Sequence, residues 1–118
     1  MKLIFLTLLF FFIITHDCIP EKLSNKQIKF TKMVGQLIEY AYSKKYSLTF
    51  GEAYARTGHC KDSLHYKRLA IDLNLFINGK YMTKTSDHLP LGEFWESLGG
   101  TWGGRFKKAD GNHYSLGE

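Results

Sequence analysis

The sequence predicts a small α+β domain, and three observations carry that prediction. Apolar residues recur at three-and-four spacing over one long stretch, strict alternation around an Asn-Gly pair crosses the middle, and a short apolar segment stops at Gly99-Gly100. Together they describe one long helix and a short helix packed on a small antiparallel sheet.

Ser24 with Gln27 has the spacing of a capping box, and Phe30, Val34, Leu37, Ile38 and Ala41 follow at helical intervals, predicting a helix over 25–44. Its apolar stripe is a core face. The segment SLTFGEAYAR (47–56) alternates Leu48, Phe50, Ala53 and Ala55, which predicts a strand, and TGHCKDS makes a polar loop. In LAIDLNLFINGKYM, Leu69, Ile71, Leu73 and Leu75 alternate with Ala70, Asp72, Asn74 and Phe76, and Asn78-Gly79 predicts a tight hairpin turn. Asp87 or Ser86 can cap a second helix over 89–98, ended by Gly99-Gly100, after which WGGRF and HYSL supply closing strands. Trp95 and Trp102 read as core or groove-wall residues, with sugar stacking open to Trp102, and Gly103-Gly104 allows a close backbone approach.

A chain of 118 residues has room for one core, and 44% hydrophobic with 23% charged residues excludes a disordered tail. Residues 1–19 stand apart: Lys2 precedes an apolar run from Leu3 to Ile14, short for a bilayer span of roughly 20 residues but suited to an export signal. The residues leave open an export signal, an uncleaved membrane anchor, or a start codon placed too early. The expected division is therefore 1–19 as signal or anchor and 22–118 as the folded domain, exported to the periplasm, cell envelope or medium and monomeric. The formal charge of +5 survives loss of 1–19, which holds one base, Lys2, and one acid, Asp17. A basic surface favours an anionic partner such as the cell envelope, and without a recognisable binding motif no nucleic acid is expected. Cys18 and Cys60 offer no disulfide framework if Cys18 leaves with the signal.

Two stretches carry candidate chemistry. SLHYKRLAID (63–72) holds Ser63, His65 and Asp72, and DGNHY places Asp110 three residues before His113. His and Asp are suitable zinc donors, and a catalytic zinc keeps three protein ligands and an open position. An acid-x-x-His spacing can set a general base beside the attacking water while the histidine holds the ion. Seven residues of extended chain span up to about 24 Å, so the YKRL stretch must turn for His65 and Asp72 to meet. His16 lies in the export segment and His88 at a helix start, leaving His59 and His113 as third ligand. Spacing alone also permits hydrogen-bonded surface histidines and a plain turn at Asp110-Gly111.

SLHYKRLAID resembles the S-x-H-x(6)-D motif of the M15 zinc peptidases, which include D,D-carboxypeptidases, D-alanyl-D-alanine dipeptidases and phage L-alanyl-D-glutamate endopeptidases. DGNHYS is similar to their second motif, and LTFGEAYAR, LAIDLNLF, LGEFWESLGG and WGGRF look most like the short endolysin branch. The resemblance runs from about Lys22 to the end. It implies the hedgehog/D,D-peptidase-like fold, with His65, Asp72 and His113 binding zinc (Zn2+). It further implies Asp110 as the general base that takes a proton from water and returns it to the leaving amine. By the same resemblance Arg56 polarises the scissile carbonyl, and Ser63 supports the site or the substrate backbone. Arg68 stands where many of these peptidases carry glycine. The implied function is hydrolysis of a peptidoglycan stem peptide, at the L-alanyl-D-glutamate bond, in wall lysis or remodelling. A D,D-carboxypeptidase and a non-catalytic wall-binding module of the same fold are the alternatives.

Overall fold

A computed structural model describes residues 20–117, and the expected signal or anchor over 1–19 lies outside the described residues. The first element is helix α1 (Leu23–Ser43), which buries Phe30, Met33, Val34, Leu37 and Ala41 along one face. It begins earlier than the capping-box spacing suggests: Lys22 is the N-cap and makes no side-chain cap bond, so Ser24 lies inside the helix. Gln27 instead donates its side-chain amide to the Lys67 carbonyl at 2.8 Å, tying the helix to the loop that carries His65.

The sheet consists of β1 (Tyr46–Phe50), β2 (Ala70–Ile77), β3 (Lys80–Met82), β4 (Thr101–Trp102) and β5 (His113–Ser115). Its strand order is β1-β2-β5-β4, with β3 also paired to β2, and every pairing is antiparallel. The hairpin between β2 and β3 turns at Asn78 and Gly79, whose φ values of 50° and 75° are the positive pair that a type I′ turn requires. Strand β1 is shorter than the alternation over 47–56 suggests because the ladder steps out of register after Phe50. Gly51 N–H donates to the Asp72 carbonyl at 2.7 Å while Asp72 N–H donates to the Glu52 carbonyl at 2.9 Å, so two residues oppose one. Such a bulge bends the strand and re-aims the side chains beyond it.

Helix α2 (Leu89–Ser97) follows a 3-10 turn at Thr85–His88. Asp87 caps that turn and not the helix, its carboxylate accepting from Lys84 N–H at 3.1 Å. The helix ends as the glycine pair predicts: Gly99, at φ 92°, donates to Glu96 and Gly100 donates to Trp95, the two bonds of a Schellman ending. WGGRF is a strand for one residue only, since Thr101–Trp102 form β4 and Gly103–Arg105 coil into a 3-10 turn.

The core lies between the two helices and the inner face of the sheet. Trp95 is its centre, edge-on to Phe30 at 5.7 Å and to Tyr114 at 5.9 Å, with its indole N–H donating to the Ser115 carbonyl at 2.9 Å. Leu37 and Leu73 are fully buried, and truncating either to alanine would cost about 2–5 kcal/mol. Trp102 is 2% exposed and donates to the Gly111 carbonyl, so it offers no face for sugar stacking and serves as a core residue.

Candidate metal centre and active site

The problem of distance between His65 and Asp72 is solved by a 3-10 turn at Leu64–Lys67. Ser63 starts it, its hydroxyl accepting from His65 N–H at 3.3 Å, and Arg68 ends it in the left-handed region at φ 55°, ψ 38°. The turn shortens the chain and reverses it, so that His65 lies back over the strand that carries Asp72. Arg68 thus takes the conformation for which glycine is suited, and its guanidinium carbon rests 4.2 Å from the Tyr54 ring centre.

His113 arrives by strand pairing. In the β2–β5 ladder Asp72 and His113 are direct partners, and their side chains therefore share a face. The backbone of the DGNHY stretch forms a tight turn before β5: Asp110 N–H donates to the Gly103 carbonyl at 2.9 Å and His113 N–H donates to the Asp110 carbonyl at 3.2 Å. A β-carbon at Gly103 would stand 2.4 Å from that Asp110 oxygen and 2.8 Å from His113 Cβ, so glycine permits the close approach expected at this pair.

The result is a nearly equilateral triangle of donor atoms. His65 Nε2 lies 3.4 Å from Asp72 Oδ1 and 3.3 Å from His113 Nδ1, and His113 Nδ1 lies 3.3 Å from Asp72 Oδ1. Both histidines are buried. Asp72 Oδ1 is buried as well and accepts no hydrogen bond among the described residues, although a buried carboxylate oxygen normally has a partner. Burial lowers the pKa of His65 and so favours the neutral imidazole that binds a cation, while the Asp72 carboxylate pulls partly the other way. The group has the donor set and spacing of a metal site.

The model of an M15 peptidase family described as D-alanyl-D-alanine carboxypeptidase matches residues 56–116, more than half of the chain. The chain belongs to the M15 peptidase family. It is accordingly a peptidase of a peptidoglycan-acting class. No curated protein matches it significantly. The matched segment of this M15 peptidase contains Arg56, Ser63, His65, Asp72, Asp110 and His113.

The M15 triangle does not include the remaining expected residues. Asp110 is exposed and is one of the residues lining a cavity of about 220 Å³, with Tyr81, Lys84, Thr85, His88 and Asn112 among the others. That exposure suits a proton carrier more than a ligand. Arg56 is exposed in the loop after the bulge and makes no hydrogen bond or ion pair among the described residues. Sequence reasoning left Glu52 out and treated His59 only as a spare ligand. Both stand beside His65: His59 Nε2 contacts a Glu52 carboxylate oxygen, and donor atoms of Glu52, His59 and His65 lie within 4.8 Å of one another. Only the bulge, invisible in the alternation of GEAYAR, turns Glu52 to this side.

Proposed function

We propose that this M15 peptidase is zinc-dependent and hydrolyses a stem-peptide bond of peptidoglycan, the L-alanyl-D-glutamate bond, outside the cytoplasm and as a monomer. The observation that carries the reading is the donor triangle. Tetrahedral zinc with bonds of about 2.0–2.1 Å needs ligand atoms about 3.3–3.4 Å apart, which is the separation of His65 Nε2, Asp72 Oδ1 and His113 Nδ1. The buried Asp72 oxygen without a hydrogen bond supports the same assignment, since a cation would satisfy it. When bound, zinc supplies a Lewis acid and lowers the pKa of water from nearly 16 to about 7.

The chain's own residues divide the remaining work. Asp110, exposed at the rim of the polar cavity, takes the proton of the attacking water and returns it to the leaving amine. Arg56 offers its guanidinium to the oxyanion that develops on the scissile carbonyl. Ser63 holds the His65 backbone and through it the metal ligand. Neither the Asp110 nor the Arg56 side chain is tied up by another group among the described residues, which leaves each able to reach a substrate.

The description carried by the matching family favours a second cleavage, removal of a terminal D-alanine. Digestion of peptidoglycan with the purified protein, with and without a chelator, followed by mass analysis of the muropeptides, separates the two. New amino-terminal glutamate indicates the endopeptidase, and free D-alanine indicates the carboxypeptidase. Chelator-insensitive release, or no release, sinks the reading. Asp110→Asn is expected to keep its zinc and lose about 100-fold or more in rate.

A further inference from the structure

A histidine that ligates a metal through one ring nitrogen ordinarily donates from the other to a carboxylate or carbonyl, and that bond fixes the ring plane. His65 lacks it: Nδ1 is buried and has no hydrogen-bond partner among the described residues. Rotation about the bond to an imidazole ring is soft, so something else must hold the plane that aims Nε2 at Asp72 and His113. The ring that covers His65 is His59, stacked on it with centroids 4.7 Å apart and planes 20° from parallel.

His59 is itself held on three sides. Its backbone N–H donates to the Tyr66 hydroxyl at 2.8 Å, and the same hydroxyl donates to the His59 carbonyl at 2.9 Å. The Tyr66 ring meets the His59 ring edge-on at 5.9 Å, and Glu52 holds Nε2. Tyr66 belongs to the same 3-10 turn as His65, so this clamp fastens the 57–62 loop directly over the ligand.

Glu52, His59 and His65 could instead be taken for a second metal seat. Their arrangement argues otherwise. Nitrogen lone pairs lie in the ring planes, and two nearly parallel stacked rings point them side by side and not at one ion. Glu52 and His59 also touch directly, without the separation found in the first triangle.

We infer that His59, fixed by Glu52 and Tyr66, is a positioning residue that orients the His65 ring for metal binding by stacking on it. The inference rests on the reading of His65 as a metal ligand, and one experiment tests the two separately. Zinc affinity of the full-length protein is measured by competition with a chromophoric chelator, and the visible spectrum of the cobalt(II)-loaded protein reports the coordination geometry. His59→Ala is expected to weaken zinc binding about tenfold or more and to alter the cobalt spectrum, without moving the thermal midpoint of the metal-free protein. His59→Phe, which keeps a stacking ring and loses the Glu52 contact, is expected to restore most of the affinity. Wild-type affinity and spectrum in His59→Ala would overturn the inference, as would a phenylalanine variant no better than alanine. Failure of the wild type itself to bind zinc, or undiminished binding by Asp72→Ala, would bring down the metal-site reading together with it.

Discussion

Gly51 faces Asp72 across the bulge so closely that a β-carbon at residue 51 would stand 3.1 Å from both the Cβ and the carbonyl oxygen of Asp72. Asp72 must then yield by a few tenths of an ångström. Gly51 lies outside the left-handed region, and at such a position alanine ordinarily gains about 0.4–1 kcal/mol over glycine through the unfolded state, which offsets much of the crowding. Gly51→Ala is therefore expected to change the thermal midpoint of the metal-free protein by no more than about 5 °C, the shift of roughly 1 kcal/mol in a domain this small. Its zinc affinity should nevertheless fall about tenfold, because the displaced Asp72 Cβ carries the carboxylate whose Oδ1 belongs to the donor triangle. Chelator competition checks this, and unchanged affinity would mean that the triangle tolerates the shift.

Gly103 presents the harder case. The atoms in the way are the Asp110 carbonyl at 2.4 Å and His113 Cβ at 2.8 Å, and the first is backbone already held by its own neighbours in the turn. Gly103→Ala should destabilise the fold by about 1–3 kcal/mol, the usual cost of overpacking. Turnover should disappear with it, since Asp110 and His113 move together. Urea denaturation and a peptidoglycan assay on the same preparation read the two effects.

What the sequence made legible was local. The α1 stripe, the Asn78-Gly79 turn and the Gly99-Gly100 stop each depend on residues a few positions apart, and each stands where its pattern predicts. The donor residues could be named, but their meeting could not be derived from spacing. It depends on the pairing of Asp72 with His113 across β2 and β5, 41 positions apart in number, and on the turn that Arg68 closes. The bulge that brings in Glu52 leaves no periodic trace, because one extra residue makes a strand look merely irregular. WGGRF read as a strand for a related reason: its glycines answer to Trp102, Asp110 and His113 packed against them, and local alternation carries no record of those neighbours.

Arg68 sets two terms against each other. A non-glycine residue in the left-handed region costs about 1–2 kcal/mol, while a guanidinium over an exposed aromatic ring returns about 0.5–1 kcal/mol. Arg68→Gly removes both and should leave stability within about 1 kcal/mol of the wild type. Arg68→Ala removes the contact with Tyr54 and keeps the backbone cost, so it should be the least stable of the three by about 1 kcal/mol. Equilibrium unfolding in urea gives the order directly, and an alanine variant more stable than the glycine variant would refute this account of the turn.

His88 makes the fold sensitive to acid. It is 3% exposed, and its Nδ1 lies 2.9 Å from the Tyr114 hydroxyl. Burial lowers its pKa, with Asp87 and a hydrogen bond to the Met82 backbone pulling the other way, while burial raises that of Tyr114. In the unfolded chain the same imidazole titrates near about 6.5. Below that pH the unfolded state takes up a proton that the fold refuses, so stability is fully present above about 6.5 and falls as the pH drops toward the lowered folded value. The slope from this group reaches at most about 1.4 kcal/mol per pH unit. His65 adds to the same trend in the metal-free protein, which makes the comparison with a variant essential. His88→Gln should lose stability at pH 7.5 and show a shallower decline between pH 6.5 and 5, whereas an unchanged slope would show that His88 does not titrate differently in the two states. Tyr114→Phe gives the complementary result: it leaves a buried ring nitrogen without its hydroxyl partner and should cost about 1–3 kcal/mol near neutral pH.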